Sequence, residues 1–293
     1  MLHDVIVVGG SYAGMAAALQ LLRARRKVLI IDAGLRRNRF ASASHGFLGQ
    51  DGTDPAQIAR AARDQLTAYP TLTWLEDTAT DAEQHEGRFV VTTSDRARHD
   101  GRRLVFATGV SDTLPAIDGL PERWGRSVFH CPYCHGYELD LGRIGVIATG
   151  PLVFHQALLL AEWGKVTLLL NGAFEPDAQA RAQLSKRDVA VETSRIAGIE
   201  GHADVRLEDG RLVRFAGLFI ATRNAPSTPL AESLDCQIEV TPFGTQISTD
   251  ATRQTTVPGA FACGDAAQVP HSVSLAVGDG AMTGIHVHRS LVF

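Results

Sequence analysis

Cysteine is scarce in this chain, four residues in 293, too few for the disulfide framework of a small secreted protein. Long apolar runs are missing too: none reaches the roughly 20 residues that a membrane-spanning helix needs. Positive charge is not in excess, since 28 Lys and Arg face 32 Asp and Glu for a net charge of −4, and this argues against a nucleic-acid surface. The short basic cluster Arg23, Arg25, Arg26 and Lys27 falls at the end of a predicted helix, where cations complement the dipole. No basic segment and cleavage site open the chain; Asp4 and a strand come almost at once, so a secretory leader is not expected. The expected setting is the cytoplasm, with no nucleic-acid or membrane partner. What is present, 45% hydrophobic and 20% charged residues, is the balance of a globular chain long enough for two domains.

Two of the scarce cysteines lie together in Cys131-Pro132-Tyr133-Cys134-His135-Gly136. A Cys-x-x-Cys near a strand–helix–strand unit reads first as a redox couple. Only the thiolate attacks a disulfide, and an isolated cysteine is only about 3% ionised at pH 7. His135 after the second cysteine and His130 before the first offer imidazoles to take and return the proton. Pro132 restricts the turn. Two other readings stay open. A zinc site could use His130, Cys131, Cys134 and His135, although adjacent residues point apart and no second Cys-x-x-Cys completes the set. A purely structural pair is the other. Cys236 and Cys263 are isolated and read as small buried thiols.

The N-terminal segment carries a second strong signal. Residues 4–8 are a β-branched run suited to a central parallel strand. Gly9-Gly10-Ser11-Tyr12-Ala13-Gly14 follows, then a helix from Met15 to about residue 25, then a strand at 28–31 that ends in Asp32. This is a dinucleotide fingerprint in its required context. Gly9 permits the tight turn, Gly14 lets the helix approach the strand, and Asp32 stands where a carboxylate accepts from a ribose. The middle glycine is replaced by Ser11, which keeps its amide.

Beyond it, Asn38-Arg39-Phe40 and His45 to Gly52 form a glycine-punctuated loop that either lines a cofactor face or lies on the surface. A helix over 54–68 is capped by Asp54 and opened by Pro55. Alternating stretches at 72–75, 88–93 and 103–106 predict antiparallel strands laid over one side. The last of these leads into Ala107-Thr108-Gly109, a small-residue turn where backbone can approach a cofactor. Residues 114–121 have the proline and glycine content of a linker.

The second half repeats the first with altered chemistry. Val146 to Val153, a helix over 154–163 and Lys165 to Gly172 lie over Val7 to Gly14, the first helix and Lys27 to Gly34. Ala148 replaces Gly9, Val153 replaces Gly14 and Leu170 replaces Asp32. A branched third residue crowds the helix, and leucine cannot bond a ribose hydroxyl. No arginine pair follows to hold a 2′-phosphate, and Arg181 lies well beyond the turn. These residues argue against NADP(H) use and leave it open. Near the end, a strand over 261–263 delivers Gly264-Asp265, whose carboxylate can accept from sugar-like hydroxyls. A last helix spans 272–292, and its Gly278, Gly280 and Gly284 predict close approach of something.

Taken together, these segments resemble the low-molecular-weight thioredoxin reductase family over nearly the whole chain. The resemblance implies an α/β fold of two Rossmann-like domains, three-layer ββα and dinucleotide-binding, the second inserted in the first. It implies an FAD-binding domain over 1–113 plus 242–293 and an NAD(P)-binding-like domain with the Cys-x-x-Cys over 114–241. FAD would be held by Gly9, Gly10, Ser11, Ala13, Gly14, Asp32, Ala107, Thr108, Gly109, Gly264 and Asp265, with Asp265 on the ribityl chain. Cys134 would lie against the isoalloxazine and Cys131 would attack the substrate, in a homodimer whose domains rotate. Thioredoxin reductases carry an aspartate after the second cysteine, whereas this chain has His135. Cys-Pro-Tyr-Cys-His-Gly-Tyr-Glu, with the His45 to Gly52 loop, is more similar to the flavin-dependent dithiol oxidases of the gliotoxin and holomycin type. The expected activity is therefore an FAD-dependent dithiol/disulfide oxidoreductase, with Cys131, Cys134 and His135 catalytic and no metal. Its thiol or disulfide substrate is a small dithiol or a thioredoxin-like protein. An NADPH-dependent thioredoxin reductase and a non-enzymatic flavin redox sensor are the rivals.

Overall fold

The computed structural model describes residues 2–293. The chain forms two compact units, one of residues up to Arg39, 46–111 and 224–293, the other of residues 40–45 and 112–223.

The first unit opens with β1 (Leu2–Val8), α1 (Tyr12–Arg23) and β2 (Val28–Ile31). Val5 to Val7 and Val28 to Ile31 are all but fully buried, the outcome expected of apolar runs in the middle of a parallel sheet. Next come α2 (Pro55–Thr67), β3 (Leu72–Leu75), β4 (Ala79–His85), β5 (Arg88–Thr93) and β6 (Arg98–Phe106). Asp54 caps α2 by accepting from the Ala56 amide at 2.6 Å, with Pro55 in the first turn. The sheet order is β3–β2–β1–β6–β5–β4. Residues 72–75 and 103–106 are therefore not antiparallel overlays. β3 runs parallel to β2, and β6 runs parallel to β1. In this sheet antiparallel pairing is confined to β5, which runs against β6 on one side and β4 on the other. Alternation misled because β3 is a half-buried edge strand, and because Leu104 to Phe106 are fully buried.

The chain leaves this unit in β7 (Val110–Thr113). In the second unit β8 (Val128–Phe129) leads into α3 (Pro132–His135), then β9 (Arg143–Ile147), α4 (Val153–Leu160), β10 (Lys165–Leu169), α5 (Ala178–Lys186) and β11 (Ala190–Glu192). An antiparallel ribbon of β12 (Ile196–Glu200), β13 (Asp204–Leu207) and β14 (Leu212–Arg214) precedes β15 (Gly217–Ile220). The main sheet is parallel, β11–β10–β9–β15–β8. Residues 114–121 are not a loose linker. Ile117 and Leu120 are buried in this unit's core, and a β-carbon on Gly119 would stand 1.9 Å from the Ile199 carbonyl oxygen.

The chain returns through β16 (Arg223–Pro226), and α6 (Leu230–Ser233), β17 (Ile238–Thr241) and β18 (Gly244–Ile247) then join the first unit. Its packing resumes at Asn224. Leu230, Ala231, Leu234 and Ile247 share a core with Ile6, Leu29 and Phe106. Finally β19 (Ala260–Ala262) pairs parallel with β6, and α7 (Val273–Val292) closes the chain. Among the described residues no helix is long and apolar enough to cross a membrane.

Candidate functional site

In the first unit the fingerprint builds a tight cradle. Gly9 has φ +104°, a conformation that favours glycine, and a β-carbon there would stand 2.3 Å from the Ala107 carbonyl oxygen. On Gly14 it would stand 1.9 Å from the Gly9 carbonyl oxygen, so α1 closes directly onto the turn. Ser11 occupies the N-cap of α1, and its side chain makes no capping hydrogen bond. The first-turn amides are thus left as donors for an anion. Asp32 accepts from the Gly10 amide at 3.0 Å, which ties the end of β2 to the turn.

Trp74 on β3 escaped the sequence reading. A β-carbon on Gly10 would meet its ring at 2.7 Å, and its buried indole N–H has no hydrogen-bond partner. Nothing in the spacing pointed to it, because it arrives from the edge strand. Ala107-Thr108-Gly109 follows β6, with Gly109 at φ +67°; Ser227 donates to the Thr108 carbonyl at 2.5 Å.

Gly264-Asp265 also sits in this unit. The Gly264 amide donates to Asp279 at 2.8 Å, and Gly264 Cα faces Ala13, whose Cβ would be 2.6 Å from any added β-carbon. Asp265 is engaged by Arg37 at 3.2 Å, and Arg37 also meets His271 Nδ1 at 2.8 Å. Neither partner was legible from the Gly-Asp motif. The close approach expected at the α7 glycines is real at two positions, but it is α1 that approaches. β-Carbons on Gly280 and Gly284 would run into the backbone of Ala13 and Ala17, whereas Gly278 faces open space. A turn that admits no β-carbon, uncapped amides, an acidic strand end and an unpaired buried indole N–H fit a dinucleotide. FAD held there would supply a two-electron carrier.

The second unit holds the thiols. Cys131 and Cys134 are joined as a disulfide with their Cα atoms 5.3 Å apart. Cys131 sits in extended backbone as the N-cap of α3, with Pro132 in the first turn, so one helical turn brings the sulfurs together. Among the described residues no group of three or more His, Cys, Asp or Glu is placed to hold a metal. Cys236 and Cys263 are free and buried, and burial pushes both thiols up.

His135 stacks on Phe129, ring centroids 4.2 Å apart at 19°. Burial first, and the charge of His45 second, lower it from 6.5 to about 4. It is therefore neutral near pH 7 and cannot store a thiol proton. Tyr133 lies edge-on to Trp163 at 5.3 Å, and Gly136 gives Trp163 its room. His130 stands beside Trp124, and its carbonyl accepts from Gln156 on α4 at 2.8 Å.

The altered fingerprint is in the same unit. Ala148, Val153 and Leu170 are buried at 2%, 0% and 2% exposure. In the turn after β10, Asn171 accepts from the Ile196 amide at 2.9 Å, and the Arg195 guanidinium lies over Gly172. An arginine therefore does reach this turn. A search along the residues just after it missed Arg195, which returns through β11.

Residues 3–280 match the pyridine nucleotide-disulphide oxidoreductase family. Among curated relatives, the thioredoxin reductase aclD of Aspergillus oryzae is 31% identical over 100% of this chain and 97% of its own. The thioredoxin reductase tcpT of Claviceps purpurea is 32% identical over 96% and 92%. Among solved structures, an oxidoreductase from Agrobacterium tumefaciens superposes with TM-score 0.98 at 55% identity, covering 100% of this chain and 99% of its own. HlmI superposes with TM-score 0.91 at 33% identity, covering 99% and 92%. The chain thus belongs to the pyridine nucleotide-disulphide oxidoreductases, and it is an FAD-dependent, thioredoxin-reductase-like enzyme that moves two electrons between FAD, its Cys131–Cys134 pair and a thiol or disulfide substrate.

Proposed function

We propose that the enzyme works as a dithiol oxidase, closing a disulfide in a small molecule and passing the electrons to oxygen. The observation that carries this reading is the second fingerprint, where Val153 and Leu170 are packed into the core in place of a glycine and an acidic residue. An unaltered pair of fingerprints would be expected in an enzyme driven by NADPH. The resemblance of Cys-Pro-Tyr-Cys-His-Gly-Tyr-Glu to the flavin-dependent dithiol oxidases supports the same direction.

In this reading one substrate thiolate attacks Cys131 Sγ. The Cys131–Cys134 bond breaks, and its electron pair goes to Cys134 Sγ. The second substrate thiolate then attacks the substrate sulfur of the mixed disulfide and expels the Cys131 thiolate. The substrate leaves oxidised, the cysteine pair is left as two thiolates, and two protons have left the substrate. His135 serves as a neutral relay for them. FAD is held by Gly9, Gly10, Ser11, Ala13, Gly14, Asp32, Ala107, Thr108, Gly109, Gly264 and Asp265. A homodimer and a cytoplasmic setting belong to the same proposal, on the resemblance to thioredoxin reductases.

One observation favours the reductase alternative: Arg195 lies at the turn where a 2′-phosphate would be read. An anaerobic titration decides between them. Bleaching of the oxidised FAD band by dithiol, reversed by air, with no response to stoichiometric NADPH, is expected. Bleaching by NADPH would make the enzyme a reductase that sends electrons out through Cys131.

A further inference from the structure

Closing a substrate disulfide leaves the Cys131–Cys134 pair as thiolates and sets two protons free, and His135 cannot keep them, because burial holds its imidazole neutral. The helical run that carries the pair continues past α3 into a 3-10 turn at Tyr137–Leu139. Cys131, Cys134 and His135, and Glu138 therefore recur three to four residues apart and share one face. Glu138 Oε1 lies 3.4 Å from His45 Nδ1. The two side chains are 39% and 18% exposed, so the carboxylate is the end nearer to water.

His45 is far away in sequence, yet residues 40–45 pack with this unit. Phe40 Cβ is 3.0 Å from where a β-carbon of Gly125 would stand, which anchors the segment at its other end. Burial first, with His45 as the lesser contributor, disfavours the charged form of His135. An imidazole paired with a carboxylate is placed to take a proton and hand it on.

We propose that His45 and Glu138 are positioning residues that form the proton outlet of the thiol couple, beginning at His135 and ending at Glu138 and water. The inference rests on the dithiol/disulfide reading above. The substrate S–H bond breaks with its electron pair left on sulfur, and that sulfur bonds to Cys131 Sγ as the Cys131–Cys134 bond opens toward Cys134. The proton passes through the His135 imidazole to His45, and from the His45–Glu138 pair to solvent.

The test uses the FAD-loaded protein under anaerobic conditions with dithiothreitol as the probe, from about pH 5.5 to about pH 9, around the range in which imidazoles titrate. Two signals are followed, the FAD band and the thiols of Cys131 and Cys134 trapped by alkylation after a rapid quench. In His45→Gln the reduction rate at pH 7 falls about 100-fold and the acid-side limb of the profile disappears. In Glu138→Gln the loss is about tenfold and the limb moves to lower pH. Added imidazole restores rate to His45→Gln. If both variants keep the wild-type profile, the outlet does not exist. If His45→Gln fails to fold, the more exposed Glu138→Gln variant alone decides. If dithiothreitol fails to reduce the wild-type pair at any pH, the dithiol/disulfide reading and this inference fall together.

Discussion

A β-carbon on Gly280 in α7 would stand 2.1 Å from the carbonyl oxygen of Ala13 in α1. Gly284 repeats the contact one turn on, against Ala17 at 2.4 Å, so the two helices touch backbone to backbone. Ala13 lies in the first turn of α1, between the fingerprint turn and Gly264. Helix α7 thus fixes α1, whose first turn follows the fingerprint.

Gly280 and Gly278 should respond to alanine with opposite signs. Both substitutions gain helix propensity, about 1 kcal/mol over glycine. At Gly278 nothing lies within 4 Å, so the gain survives and the melting temperature rises. At Gly280 the new methyl meets backbone, which cannot yield as a side-chain tip can, and overpacking of this kind costs about 1–3 kcal/mol. Gly280→Ala should melt lower and retain less FAD. Equal shifts in the two variants, read side by side by thermal denaturation and FAD absorbance, would contradict the contact.

Asp279 should matter for FAD although it need not touch it. Its side chain is 3% exposed, it accepts from the Gly264 amide at 2.8 Å, and Arg253 Nε stands 2.6 Å away. Burial pushes its carboxyl up, and the Gly264 and Arg253 contacts oppose that. Asp279→Asn keeps the shape, removes the charge facing Arg253 and weakens the bond that holds the Gly264-Asp265 turn. The loss of stability should be about 1–3 kcal/mol, with faster FAD release on dilution. Unchanged FAD release would place the turn under other control.

His135 predicts a pH dependence of stability. Its imidazole falls from 6.5 to about 4 on folding, from burial first and His45 second. Between those values the unfolded chain binds the proton and the folded one does not, so stability falls as pH drops through that window. Near pH 5 this one group should remove about 2 kcal/mol relative to pH 7. His135→Gln should lose that much less than wild type between pH 7 and pH 5 in urea denaturation. Parallel losses in the two proteins would show that the ring is solvated.

The parts legible in the sequence were those that sequence neighbours decide. Gly9, Gly14 and Asp32 declare themselves through spacing, because one turn and one strand end place all three, and the Cys131–Cys134 couple likewise needs a single helical turn. Residues brought in by other elements left no local signal. Trp74 enters the fingerprint from an edge strand, Arg195 reaches Gly172 through the strand beside β10, and His45 meets Glu138 from a segment 93 positions earlier in the numbering (138 − 45). The α7 glycines show the intermediate case. Their number signalled a close approach, but whether helix or ligand approaches is settled only by tertiary packing. Strand direction was hidden for a related reason, since the alternation of residues 72–75 reports a half-buried edge and carries no information on parallel or antiparallel pairing.

Gly136 offers a test of how the thiol turn is held. Its φ of −69° suits any residue, so backbone strain does not require glycine there. Space does: a β-carbon would stand 2.8 Å from Cδ1 and Cγ of Trp163 and 2.7 Å from the Pro132 carbonyl oxygen. Trp163 in turn takes the edge of Tyr133, the residue between the two cysteines, at 5.3 Å. Gly136→Ala should therefore push the indole and disturb the turn, at about 1–3 kcal/mol for the overpacking, and slow reduction of the Cys131–Cys134 pair by dithiothreitol. Trp163→Leu removes the obstacle along with its own packing. If the indole is what the methyl strikes, Gly136→Ala should be better tolerated in the Trp163→Leu background, with a coupling of about 0.5–3 kcal/mol in the double-mutant cycle. Strict additivity in stability and in reduction rate would mean that the Pro132 carbonyl, not Trp163, sets the limit at this position.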